Sequence, residues 1–155
     1  MKASARKRDL WIQASIVLLL LALTVAAFVR SSTKPLSADD LKISVSDLRS
    51  FSSDGALICE QYLEGHLTET FFNNEVQLLQ DKVKSSRESL ETTKVEPEIS
   101  SELDRTHAMA QRLESAYNQL ADQSRNVGHI EKEMNDLVSP LKSIEEGLKL
   151  KAQNK

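Results

Sequence analysis

Residues 97–150 read PEISSELDRTHAMAQRLESAYNQLADQSRNVGHIEKEMNDLVSPLKSIEEGLKL, and whether they form one helix or two decides the fold. Ile99, Leu103, Thr106, Ala110, Leu113, Tyr117, Leu120, Ser124 and Val127 alternate steps of four and three, the spacing of a helical seam. The seam resumes as Ile130, Met134, Leu137, Leu141, Ile144 and Leu148, but the join is a second consecutive step of three, so the phase slips at Gly128. A continuous helix absorbs such a slip as a stammer, whereas a turn restarts the count. The length of the preceding helix selects the turn. A helix from Glu69 to about Lys94 has 26 residues, so a partner starting near Pro97 comes level with its beginning at about residue 123. An unbroken helix would run roughly 35 Å further with its apolar stripe uncovered. The pattern therefore predicts a fourth helix from about His129 to Leu150, kinked rather than ended by Pro140 because the apolar spacing continues across it. A long three-helix or coiled-coil form is the alternative.

Upstream, Phe72, Val76, Leu79, Val83, Ser86 and Leu90 form the seam of a second helix from Glu69, with Lys84, Glu88, Arg87 and Glu91 on its wet side. Pro97 ends it, because the residue before a proline resists the α conformation. Gly65 and Thr68 supply a left-handed cap and an N-cap, which makes residues 65–68 the first turn. The first helix is expected from Ser46, with Leu48, Phe51, Gly55, Ile58 and Tyr62 as its core stripe and Ala56, Cys59 and Leu63 widening it. Residues 30–45 read as a linker, in which Ser37, Asp39 and Asp40 open at most a short helical turn.

Before the linker lies LWIQASIVLLLLALTVAAFV, Leu10 to Val29, twenty residues without a charge and long enough as a helix to span the roughly 30 Å of a bilayer core. Residues 1–9 carry a net charge of +3 and the rest of the chain −6. The basic flank places the N-terminus in the cytoplasm and residues 46–150 outside it, in a bacterial periplasm by preference, since none of the six asparagines opens a glycosylation acceptor. Val25-Ala26-Ala27 before Phe28 also resembles a signal-peptide cleavage site, but the apolar run exceeds the roughly 7–15 residues of an h-region. Ala22 and Ala26 are a small-xxx-small pair through which two spans would pack closely. The expected architecture is all-α: a cytoplasmic basic segment 1–9, a single-pass transmembrane helix 10–29, a linker 30–45, an antiparallel up-down helical bundle 46–150 and a tail 151–155. Few glycines, prolines and aromatics agree with helices rather than strands.

Little in this chain points to catalysis. There is no glycine-rich phosphate loop, Cys-x-x-Cys, His-Glu-x-x-His or nucleophile elbow. Cys59 is the one cysteine and falls on an apolar stripe, where a thiol packs as a small hydrophobe. Asp104 and His107 make a single Asp-x-x-His, short of the paired motifs of a di-metal bundle, and His107 reads as a surface residue. His66 and His129 fall in turns at one end of the predicted bundle and are the candidates for a metal or pH-sensing site. The acidic outer region argues against nucleic acid. No enzyme activity and no cofactor are expected. The reading is a non-enzymatic, membrane-anchored interaction protein, an accessory or assembly subunit of a membrane or envelope complex, with Phe71 and Leu78 as partner contacts outside the core seam. An extracytoplasmic ligand-sensing or signal-transducing bundle and a self-associating coiled-coil spacer are the alternatives.

Overall fold

The computed structural model describes residues 35–122 and 126–153. Four helices account for nearly all of them: α1 (Ala38–Leu63), α2 (Glu69–Thr92), α3 (Ser100–Leu120) and α4 (Val127–Gln153), with a 3-10 turn at Pro97–Ile99 leading into α3. There is no strand among the described residues beyond a single bridge between Leu36 and Val95. No helix among them is long and apolar enough to cross a membrane. The proposed span 10–29, its Ala22 and Ala26, and the basic segment 1–9 lie outside the described residues.

The chain turns between α3 and α4, as the phase slip predicts, and α4 continues through Pro140. Two details differ. α3 ends at Leu120, so Val127 belongs to the first turn of α4, where it is buried, and not to the seam of α3. Helical structure also reaches Gln153, so residue 151 is not the start of a tail.

The larger correction concerns α1, which starts eight residues before the expected Ser46. Ser37 caps it: its Oγ accepts from Asp40 N–H at 3.3 Å while the Asp40 carboxylate accepts from Ser37 N–H at 3.2 Å. This reciprocal box satisfies two backbone donors that would otherwise go unpaired at the helix start. The Ser37 bonds also hold the Asp40 carboxyl below its ordinary pKa. Leu41 and Val45 are consequently fully buried core residues and not linker, and they continue the stripe that Leu48 opens in the expected helix.

The core stripe of α1 overlaps the expected one but is rotated from its centre. Gly55, Ala56 and Cys59 are buried as expected and Ser52 joins them, whereas Phe51, Ile58 and Tyr62 sit at the margin of the core and Leu63 is 54% exposed. Small side chains on this face let α4 approach closely, and α1–α4 is the most extensive helix pairing. Ser52 Oγ donates to the backbone carbonyl of Met134 on α4 at 2.7 Å, a bond open to so short a side chain only when the two backbones run close. Tyr117 of α3 reaches into the same layer and donates its hydroxyl to Phe51 O at 2.6 Å. Burial pushes the pKa of that hydroxyl far up, with Cys59 and Asp54 adding to the effect, so it stays a donor. Arg49 pairs with Glu145 across the α1–α4 interface at 2.8 Å, which compensates a carboxylate that is 8% exposed.

Gly55 is required where Tyr117 and Met134 converge. A Cβ there would lie 2.6 Å from Met134 Sδ and closer still to Tyr117 Oη. Gly55→Ala is expected to lower stability, because overpacking costs about 1–3 kcal/mol. The gain in helix propensity, about 1 kcal/mol, offsets only part of that. Chemical denaturation checks this, and a smaller penalty in a Tyr117→Phe background would locate the clash at the hydroxyl.

Candidate interaction surface

α2 begins at Thr68, whose Oγ1 accepts from Phe71 N–H at 3.3 Å, one turn after Gly65 reverses the chain at φ 77°. The cap sets which residues face inward. Phe72 and Leu79 are buried, whereas Phe71 and Leu78, one position back and a heptad apart, share an outward side at 50% and 49% exposure. Leu63, just before the turn, is also exposed. α2 is the least embedded of the four helices, so this apolar side is carried on the element with the least packing of its own.

The flank of α2 towards α3 is polar. Gln80 Nε2 donates to Asn118 Oδ1 at 2.6 Å. Between this bond and the α1–α2 turn lies a groove of about 890 Å³, lined by Glu69, Asn73, Gln77 and Gln80 with Tyr62 and Val127. Tyr62 stacks on Phe72 at a centroid distance of 4.2 Å, which fixes one wall.

Further along the same flank, Arg87 is not on a wet side. Its Nε lies 2.6 Å from Glu114 Oε2 on α3, and its guanidinium also pairs with Glu91. His107 is half-buried rather than on the surface, with Nε2 3.5 Å from Glu91 Oε1. Two carboxylates pair with the Arg87 guanidinium, one from α2 itself and one from α3, so the cluster ties α2 to α3.

The remaining candidates are bonded locally. His66 bonds within its own turn, Nδ1 lying 3.2 Å from Gln61 Oε1 and 3.1 Å from Glu64 Oε2. His129 is exposed in the first turn of α4, its N–H donating to Asn126 Oδ1 at 3.2 Å. No group of three His, Cys, Asp or Glu side chains among the described residues is arranged to hold a metal ion. Cys59 is fully buried in the core. Thr106 Oγ1 donates to Glu102 O, the backbone four residues earlier, at 2.7 Å, which pairs this buried hydroxyl within its own helix.

The opposite end of the bundle carries a charged clasp that sequence spacing did not suggest. Lys151 Nζ bonds Glu102 Oε2 at 2.8 Å and Glu98 O at 2.6 Å. With this geometry established, the chain was compared with protein-family models, curated proteins and solved structures, and none of the three yielded a match.

Burial raises the pKa of the Glu102 carboxyl, but hydrogen bonds from Lys151 and Ser101 outweigh it and leave it below its ordinary 4.5. A carboxyl with a depressed folded pKa contributes stability above its unfolded pKa and loses it as pH falls through the folded one. Stability is therefore expected to fall as the solution is acidified below about pH 4.5, and less steeply in Lys151→Met, as read from thermal melts across that range.

Proposed function

We propose that this chain is a membrane-anchored, non-enzymatic helical protein that docks on another membrane or envelope protein through the outward side of α2. The observation that carries the reading is the exposure of Phe71 and Leu78, two large apolar side chains a heptad apart on the least embedded helix. A helix offering apolar anchors at that spacing suits helix-in-groove or bundle-to-bundle contact. The anchor rests on the uncharged run from Leu10 to Val29 and its basic flank, and with it the placement of the bundle outside the cytoplasm.

Crosslinking the full-length protein in its native membrane, with mass spectrometry of what co-purifies, tests this directly. A defined partner at near stoichiometry is expected from the wild type and is lost in Phe71→Ser/Leu78→Ser. Each substitution removes a half-exposed side chain, so the double variant is expected to keep its helicity and to lose about 1–2 kcal/mol of stability. Recovery of the protein alone or in multimers of itself would sink the reading.

The polar groove beside Tyr62 supports a second reading, an extracytoplasmic ligand sensor. Its aromatic wall and row of amides on α2 suit a small polar solute such as a saccharide or amino acid. A panel of those compounds should then raise the melting temperature of the wild type but not of Asn73→Ala/Gln77→Ala, since a ligand bound only to the native state stabilises it.

A further inference from the structure

The stretch Lys94–Glu102, which joins α2 to α3, is held from both ends of the described fold. On one side Leu36 N–H donates to Lys94 O at 2.7 Å and Leu36 O accepts from Glu96 N–H at 3.4 Å, pairing Leu36 with Val95 as a single parallel rung. On the other, Lys151 near the end of α4 bonds to Glu98 O and Glu102. The first attachment falls just before the 3-10 turn Pro97–Ile99, and the second falls within it at Glu98 and beyond it at Glu102. That turn is stiff: Pro97 restricts φ, Ile99 N–H donates to Glu96 O at 3.1 Å, and the Ile99 side chain is 1% exposed in the core. Connections between bundle helices are ordinarily among the first backbone segments to open, because few partners hold them. Here the connection is the piece to which the first and last residues of the fold are both fastened.

We propose that Lys94–Glu102 is a latch coupling the two ends of the domain. Detaching Leu36 lets the 3-10 turn shift and weakens the hold of Glu98 and Glu102 on Lys151; detaching Lys151 weakens the hold on Leu36. The coupling is reciprocal, as any linkage between two attachments through one element must be. A pull on the chain at Pro35 thus reaches α3 and α4 through the latch as well as through α1. The inference is independent of which partner the α2 face takes.

Hydrogen exchange read by mass spectrometry on the full-length protein in detergent tests it, with three variants. Leu36→Pro deletes the donor to Lys94 O, Lys151→Met deletes the clasp while keeping an apolar stem, and Lys142→Met is a control at an exposed site on α4. Leu36→Pro is expected to speed exchange about tenfold at residues 146–151, and Lys151→Met to do the same at residues 94–96, with residues 110–118 unchanged. The double variant should gain less than the product of the two factors, because either release already opens the shared element. Acceleration confined to residues 94–99 in Leu36→Pro, with 146–151 at the wild-type rate, would mean two independent contacts and overturn the latch. If Leu36→Pro accelerates residues 110–118 as well, it has loosened the whole fold. Lys151→Met then decides: faster exchange at residues 94–96, which Leu36 holds and Lys151 does not touch, supports the latch, and the control rate there overturns it.

Discussion

The close approach of α1 to α4 is the constraint on which the rest of this fold depends. A serine hydroxyl stands one carbon off the backbone, so the bond from Ser52 to the Met134 carbonyl holds the two helices at short range. Ser52, Gly55, Ala56 and Cys59 leave room for that approach, and Tyr117 of α3 closes the space over Gly55 and ties itself to the carbonyl of Phe51. One layer thus joins three helices through two side-chain bonds to backbone. A buried hydroxyl without a partner costs about 1–3 kcal/mol, so the alternative arrangements of the same helices are penalised where this one is satisfied. Further along the interface, Arg49 and Glu145 add a charge pair that is right only in this register.

α2 stands apart from that arrangement and has two unlike flanks. Towards α3 it is bound by polar pairs, Gln80 with Asn118 and Arg87 with Glu114. On its outward side it carries Phe71 and Leu78 against water. Its place in the fold is fixed by directional bonds on one flank and a modest seam below, which leaves its outer surface free of structural duty. That division fits the docking role proposed for α2, since the contacts that hold it in place are not the side chains it would offer to a partner.

Much of this was legible in the chain. Thr68 and Pro97 bracket α2, Gly65 marks the first turn, and the phase slip marks the separation of α3 from α4, because caps, prolines and a broken period act locally. The start of α1 was obscured because its early turns, LKISVSD, mix β-branched and polar residues in the manner of a linker, although Leu41, Val45 and Leu48 keep helical spacing. The spacing places Gly55, Ala56 and Cys59 on the core face, but it centres the stripe on the large apolar Phe51, Ile58 and Tyr62 and passes over Ser52, because the tightest packing needs small residues that hydrophobicity does not flag. Exposed Phe71 and Leu78 were readable as off-seam positions. The partners of Arg87 and Lys151 were not, since Glu114 and Glu102 come near them only through the packing of separate helices and no spacing along the chain encodes that.

The capping box at Ser37 has a second consequence. Ser37 is extended, at φ −81° and ψ 169°, and its side chain and the Asp40 carboxylate close off the amides that a continuous helix would bond to the preceding turn. With Pro35 two residues earlier, no unbroken helix enters α1 from upstream. The first turn of α1 is therefore closed by its own side chains, and the register of the helix is set from within the bundle.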